Sequence, residues 1–111
     1  NPYLDEASQP IRFWANKYKT MFNEDPTVFS VYGYIIINSF AAAAAKAGKN
    51  LTTDTFIKSM DKMVLEPDMF GGAKATFSAT KRLGSDESRL SQIQDGKWKV
   101  VSGYVSASSV K

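Results

Sequence analysis

The sequence contains no cysteine and no histidine. Zinc therefore finds neither thiolate nor imidazole, which all but removes a structural zinc site. Ser-His-Asp and Cys-His nucleophile arrangements are excluded outright, because each needs an imidazole base. Paired acids across a substrate are missing too. Asp5 and Glu6, like Asp86 and Glu87, are sequence neighbours. Neither pair can flank a glycosidic bond, and both read as solvated loop charges. Gly71-Gly72 is followed by no Gly-Lys-Ser/Thr, so it is not a phosphate loop. Basic residues outnumber acidic ones only by 14 to 11, with no Lys/Arg run. A nucleic-acid partner is not expected. Together these absences point away from an enzyme and away from any metal or cofactor. Zero cysteine also suits an exported bacterial protein without disulfides.

What remains is an ordinary globular composition, 43% hydrophobic and 23% charged in 111 residues. That is enough apolar content for one small domain with a modest core. The chain begins at Asn1 without methionine, which reads as a mature chain or a fragment.

Residues 1–9 are polar and run into Pro10, as a loop would. A helical period follows over residues 11–22, with Ile11, Trp14, Tyr18, Met21 and Phe22 on one face. Asn23-Glu24-Asp25-Pro26 breaks it, since the residue before proline resists helix. Val28–Ala47 is the most apolar stretch, with no charge between Asp25 and Lys46. Its uncharged length approaches the roughly 18–20 residues of a membrane span. Ser30, Gly33, Asn38, Ser39 and the run of alanines favour instead a helix buried on most sides, with neighbours close against the alanines. Lys46 and Gly48 mark its end. A third helix is expected over residues 53–64, capped by Thr52 and stapled by Leu51 to Phe56. Its buried face is Phe56, Ile57, Met60, Met63 and Val64, and Glu66-Pro67-Asp68 stops it. Residues 73–77 suit a short strand. Asp95-Gly96 between two strand-like runs predicts a hairpin with a type I′ turn, placing Ile93 opposite Trp98 and Ser91 opposite Val100. The tail from Ser106 is expected to fray.

Four stretches in this order resemble the C-terminal third of the type I periplasmic, or extracellular, solute-binding protein family. The first is Phe13-Trp14-Ala15-Asn16-Lys17-Tyr18-Lys19 through Asp25-Pro26. The second is Tyr32-Gly33-Tyr34 with the long apolar helix and Lys46-Ala47-Gly48-Lys49. The third is Leu51-Thr52 with Phe56-Ile57-Lys58-Ser59-Met60. The fourth joins Thr76-Phe77-Ser78, Leu83-Gly84, Arg89-Leu90-Ser91-Gln92 and Asp95-Gly96-Lys97-Trp98. Each is weak alone, and their order and spacing make the resemblance. It is greatest to the branch that binds branched-chain amino acids for ABC transporters. Two departures touch the substrate more than the fold. Ile35 stands where an acidic residue is usual, and the histidine often found after the "FS" strand is absent, with Lys81-Arg82 nearby.

The resemblance implies an α/β fold, the C-terminal portion of a two-lobed protein with a solute held between the lobes. Taken alone, the segment is α+β: three helices, a short strand and a β-hairpin. Residues 1–85 would belong to the first lobe. Residues 86–111 would hold the third crossover near residues 90–93, the terminal hairpin reaching the second lobe, and the tail. Phe29 matches the position of an aromatic that faces the cleft in the amino-acid-binding branch, and Tyr32 is the second candidate ligand-binding residue. An aromatic wall suits an apolar side chain or an ammonium group. Core packing is the competing reading for both, and it is the preferred one for Tyr34, Trp14 and Trp98. The implied partners are a small-molecule solute and an ABC transporter permease, in the periplasm or outside the cell. A sensory or regulatory receptor domain on the same fold, or a standalone helical interaction domain, is the alternative. Ile35, Ile36, Ile37 and Phe40 need cover on every side of the long helix. The chain alone is thus expected to leave an apolar patch exposed or to bury it by self-association.

Overall fold

The structure, a computed structural model, describes residues 8–109. Asp5, Glu6 and most of the expected N-terminal loop lie outside the described residues. The described chain runs through three helices into short antiparallel pairings. It is an α+β arrangement, as the resemblance implies for this segment taken alone.

Helix α1 spans Gln9–Phe22. It starts two residues before Ile11 because Pro10 suits a first turn, where its missing N–H is not needed. It ends on Asn23 in the left-handed region (φ 54°), whose N–H reaches the Lys19 carbonyl at 2.8 Å. Tyr18 donates to Glu24 at 3.0 Å, and Lys19 pairs with Asp25 at 2.9 Å, which holds the turn before Pro26. Helix α2 spans Val28–Ala47. The Ser30 hydroxyl accepts the Thr27 N–H at 3.1 Å at its start, and Gly48 (φ 84°) closes its end. Helix α3 spans Thr53–Met60. Thr52 and Thr55 cap it reciprocally, each hydroxyl accepting the other's N–H at 3.2 and 2.9 Å.

The third helix is four residues shorter than the sequence suggests. The Lys62 and Met63 amides turn back to the carbonyls of Ser59 and Met60, which buries Met63 and redirects the chain. Val64–Leu65 then forms strand β1 rather than a last helical turn, antiparallel to β2, Ala75–Thr76. A β-branched residue beside a ready ladder gains more there than in helix. Strand β3 (Glu87–Ser88) pairs with β6 (Val105–Ser106). Strands β4 (Ser91–Gln94) and β5 (Lys97–Val100) form the expected hairpin. Its register is Ile93 with Trp98 and Ser91 with Val100, and Asp95 and Gly96 both have positive φ (53° and 75°), as a type I′ turn requires. The described tail, expected to fray from Ser106, is tied back as far as Ser109. The Ser106 hydroxyl bonds Asp86 at 3.0 Å, and the Ala107 amide reaches the Asp86 carbonyl at 3.1 Å.

The core is small. Ile11, Val31 and Phe70 form its buried centre, with Trp14, Ile35 and Met69 around it. Three rings meet edge to face there: Trp14–Phe70 at 5.1 Å, Tyr34–Phe70 at 5.8 Å and Trp14–Tyr34 at 5.9 Å. A second contact joins α2 to α3. Ala43 is wholly buried, and the Ser59 hydroxyl bonds the Ala43 carbonyl at 2.9 Å. Only a small residue lets Ser59 approach that backbone.

Helix α2 is not buried on most sides. Val31 and Ala43 are its only buried residues, and Ile36 and Ile37 stay 64% and 66% exposed. Among the described residues, α1, α3 and residues 69–72 leave Phe29, Ile36 and Ile37 uncovered. The shape agrees: the slab measures 49 × 46 × 19 Å, with a radius of gyration of 16.5 Å. A compact domain of this length has about 13 Å. By length and composition, α2 also meets the requirement for crossing a membrane, with mean hydropathy 1.6.

Phe70→Ala is expected to lower unfolding free energy by about 3–5 kcal/mol, measured by urea denaturation. A change below about 1 kcal/mol would show that the ring cluster does not hold α1 to α2.

Candidate functional site

Periodicity along α2 sorts its residues before any site is named. Val28, Val31, Tyr32 and Ile35 recur at helical spacing and share one face. Phe29, Ile36 and Phe40 share another. The first face meets residues 69–72, while on the second Phe40 meets Phe56 of α3, ring to ring at 5.1 Å, and Ala43 meets Ser59.

Pro67 and Asp68 bring the chain back to that face. Asp68 Oδ1 accepts the Phe70 N–H at 2.9 Å, and its carbonyl accepts the Gly71 N–H at 3.0 Å. This is a side-chain-locked turn. It drives Phe70 into the core and leaves Gly71 at φ 68°, a conformation that favours glycine. Tyr104, from the segment after β5, donates its hydroxyl to the Gly71 carbonyl at 2.6 Å. The Arg89 guanidinium carbon sits 4.8 Å from the Tyr104 ring centroid, a cation–π contact.

These contacts enclose an open cleft of about 420 Å³. One wall is the Val28, Val31, Tyr32, Ile35 face of α2. The floor is Phe70, Gly71 and Gly72, and the far wall is Arg89, Ser91, Trp98 and Tyr104. Apolar and aromatic side chains share the lining with nearly as much polar surface, and the volume falls in the range of small-molecule sites. No group of three or more potential metal-ligating side chains is found among the described residues.

The two sequence candidates part company. Tyr32 lines the cleft, while Phe29 does not. Phe29 is 76% exposed and touches Tyr32 edge-on, ring to ring at 6.1 Å, from the outer face it shares with Ile36 and Phe40. Neither ring lies in the buried core, against the packing alternative. Tyr34 packs on Phe70 and Trp14 as a core residue would, although its outer edge is open. Trp14 packs as well. Trp98 does not: half exposed, it lines the cleft. Arg89, Tyr104 and Gly71 were not legible as site residues. A positive-φ glycine after an Asx turn was a usable hint for Gly71. Nothing in the sequence links Tyr104 to a carbonyl 33 positions earlier.

With this geometry in view, a comparison with family models finds one match, described as periplasmic binding protein, over residues 1–97. Neither curated proteins nor solved structures give a match.

Tyr104→Phe is expected to cost about 1 kcal/mol through loss of the hydroxyl bond, and to loosen the cleft more than the core. Hydrogen exchange checks this: protection should fall for the amides of residues 69–72 and stay unchanged in α3. Equal loss throughout would show that this bond is not local to the cleft.

Proposed function

The chain belongs to the periplasmic binding protein family, and from that premise we propose that it captures a branched-chain or related amino acid, or a similar small solute, for an ABC uptake system. It works outside the cytoplasm and hands the solute to a permease, with no chemistry on it. The observation that carries this reading is the cleft itself. Its walls come from residues 28–72, which the family resemblance assigns to the first lobe, and from residues 89–104, which it assigns to the third crossover and the hairpin reaching the second lobe. A solute held there bridges both, and its binding energy favours closure. Tyr32 and Trp98 supply aromatic wall, and Phe29 backs Tyr32 from outside.

The uncovered side of α2 fits the same reading. Phe29, Ile36 and Ile37 form an exposed apolar stripe of the kind that a parallel sheet buries under its helices, beside Phe40, which packs on Phe56. In a two-lobed protein the rest of the first lobe takes that place. The 111-residue chain by itself is therefore expected to self-associate through this stripe. Sedimentation velocity should show species above the monomer, and Ile36→Glu with Ile37→Glu should return the monomer. A clean monomer of the unaltered chain counts against the lobe assignment.

Solute capture is tested by isothermal titration calorimetry with leucine, isoleucine and valine. Saturable binding that Tyr32→Ala weakens by about tenfold, an increment of about 1.4 kcal/mol, is the expected result. Binding that survives Tyr32→Ala unchanged would move the site away from this cleft.

A further inference from the structure

Lys81-Arg82, where the sequence departs from the family pattern, lies in a loop closed at its neck. The Thr76 amide reaches the Gly84 carbonyl at 2.8 Å there. Further out, Ser78 and Lys81 bond each other's backbone, N–H to carbonyl, at 2.9 and 3.2 Å. The neck is narrow. A Cβ on Gly84 would stand 2.8 Å from the Phe77 ring and 3.2 Å from the Ala75 Cβ, so a side chain there would have to displace Phe77. The loop is also anchored outside itself. Arg82 pairs with Asp61 at the end of α3, and the Phe77 amide reaches the Met63 carbonyl at 3.1 Å.

Lys81 turns inward instead. Its ammonium meets the Thr76 carbonyl at 3.4 Å, the Thr76 hydroxyl at 3.2 Å and the Gly84 carbonyl at 3.3 Å. An ammonium group carries N–H donors only, as many as there are oxygens in this cage. All of those oxygens are neutral. Hydrogen bonds from a charged donor are roughly twice as strong as neutral ones, and these draw both sides of the neck onto one charge. Calcium and magnesium sites rely on carboxylates. Neutral carbonyl oxygens, by contrast, replace the hydration shell of a monovalent cation.

We propose that the loop neck is a binding site for one small monovalent cation, which the chain fills with its own Lys81 side chain. The internal cation fixes the loop, and with it the Phe77 edge of the 250 Å³ cavity that Ile35 and Asn38 of α2 also line. The cage residues are distinct from those lining the solute cleft, so the site stands or falls apart from solute capture.

The test empties the cage and refills it. Lys81→Ala removes the ammonium and leaves the oxygens. Hydrogen exchange of the Thr76 and Ser78 amides, which close the loop, is expected to quicken by about tenfold or more, the equivalent of one charge-assisted hydrogen bond. The amides of α2 should keep their protection. Ammonium and methylammonium chlorides should restore most of the loss. Tetramethylammonium chloride at the same ionic strength should restore none, since it has no N–H and is too large. Lys81→Met keeps a stem across the cage without the charge, so it should loosen the loop and gain nothing from ammonium. The unaltered chain gives a reading that needs no variant: acetic anhydride should label Lys81 several-fold more slowly than the exposed Lys49 and Lys58. Unchanged exchange in Lys81→Ala, loss spread equally through α2, rescue by tetramethylammonium as good as by ammonium, no rescue at all, or equal labelling of the lysines each overturns the cation site.

Discussion

Phe70 is the point on which the other contacts converge. Its ring lies between Trp14 of α1 and Tyr34 of α2, edge to face with both. Each such pair adds about 0.5–1.5 kcal/mol beyond the area it buries. With five buried hydrophobic residues among those described, that is a large share of the packing. The ring is driven inward by the Asp68 turn, so one local hydrogen-bond pattern joins two helices that otherwise have little to hold them together. The same turn presents Gly71 on the opposite side. Core and cleft are therefore two sides of one short loop, and disturbing either reaches the other.

The cleft's far wall hangs on fewer contacts. The segment carrying Arg89, Trp98 and Tyr104 is built of two-stranded ladders, and isolated ladders of this size are marginal in water. Their tie to the helical part includes the Tyr104 hydroxyl bond to Gly71. The α2–α3 contact at Ala43 and Ser59 is buried by contrast.

Helix α2 does two tasks on different faces. One face, through Val31 and Ile35, closes the core and then the cleft. The other leaves Phe29, Ile36 and Ile37 in solvent, a cost that burial against further structure would reverse. At about 25 cal/mol per Å² of apolar surface, covering such a stripe is a strong drive toward association. An apolar helix with a defined polar cap, a buried serine contact at Ala43 and a lysine reaching the Lys62 carbonyl at 3.3 Å has specific neighbours along one flank.

Local chemistry was legible in the sequence. Asn23 and Gly48 end helices because a left-handed or open backbone stops the ladder there. Thr52 starts α3 because its hydroxyl satisfies an orphan amide. Asp95-Gly96 sets the hairpin register because two consecutive positive φ values leave one turn type. All of these act within a few residues. Distant partners decided the rest. Val64 left the helical pattern for a strand because Thr76 was there to pair with it. Phe29 turned away from the cleft because the contacts of Val28, Val31 and Ile35 fixed the rotation of α2. Arg89 and Trp98 became cleft residues only when the Tyr104 hydroxyl met Gly71, an encounter that no periodicity encodes. Caps, turns and register come from short-range sterics and hydrogen bonding, so the sequence determined them by itself. Which face of a helix is covered, and by what, depends on packing between segments far apart in the chain, and only the tertiary structure could decide it.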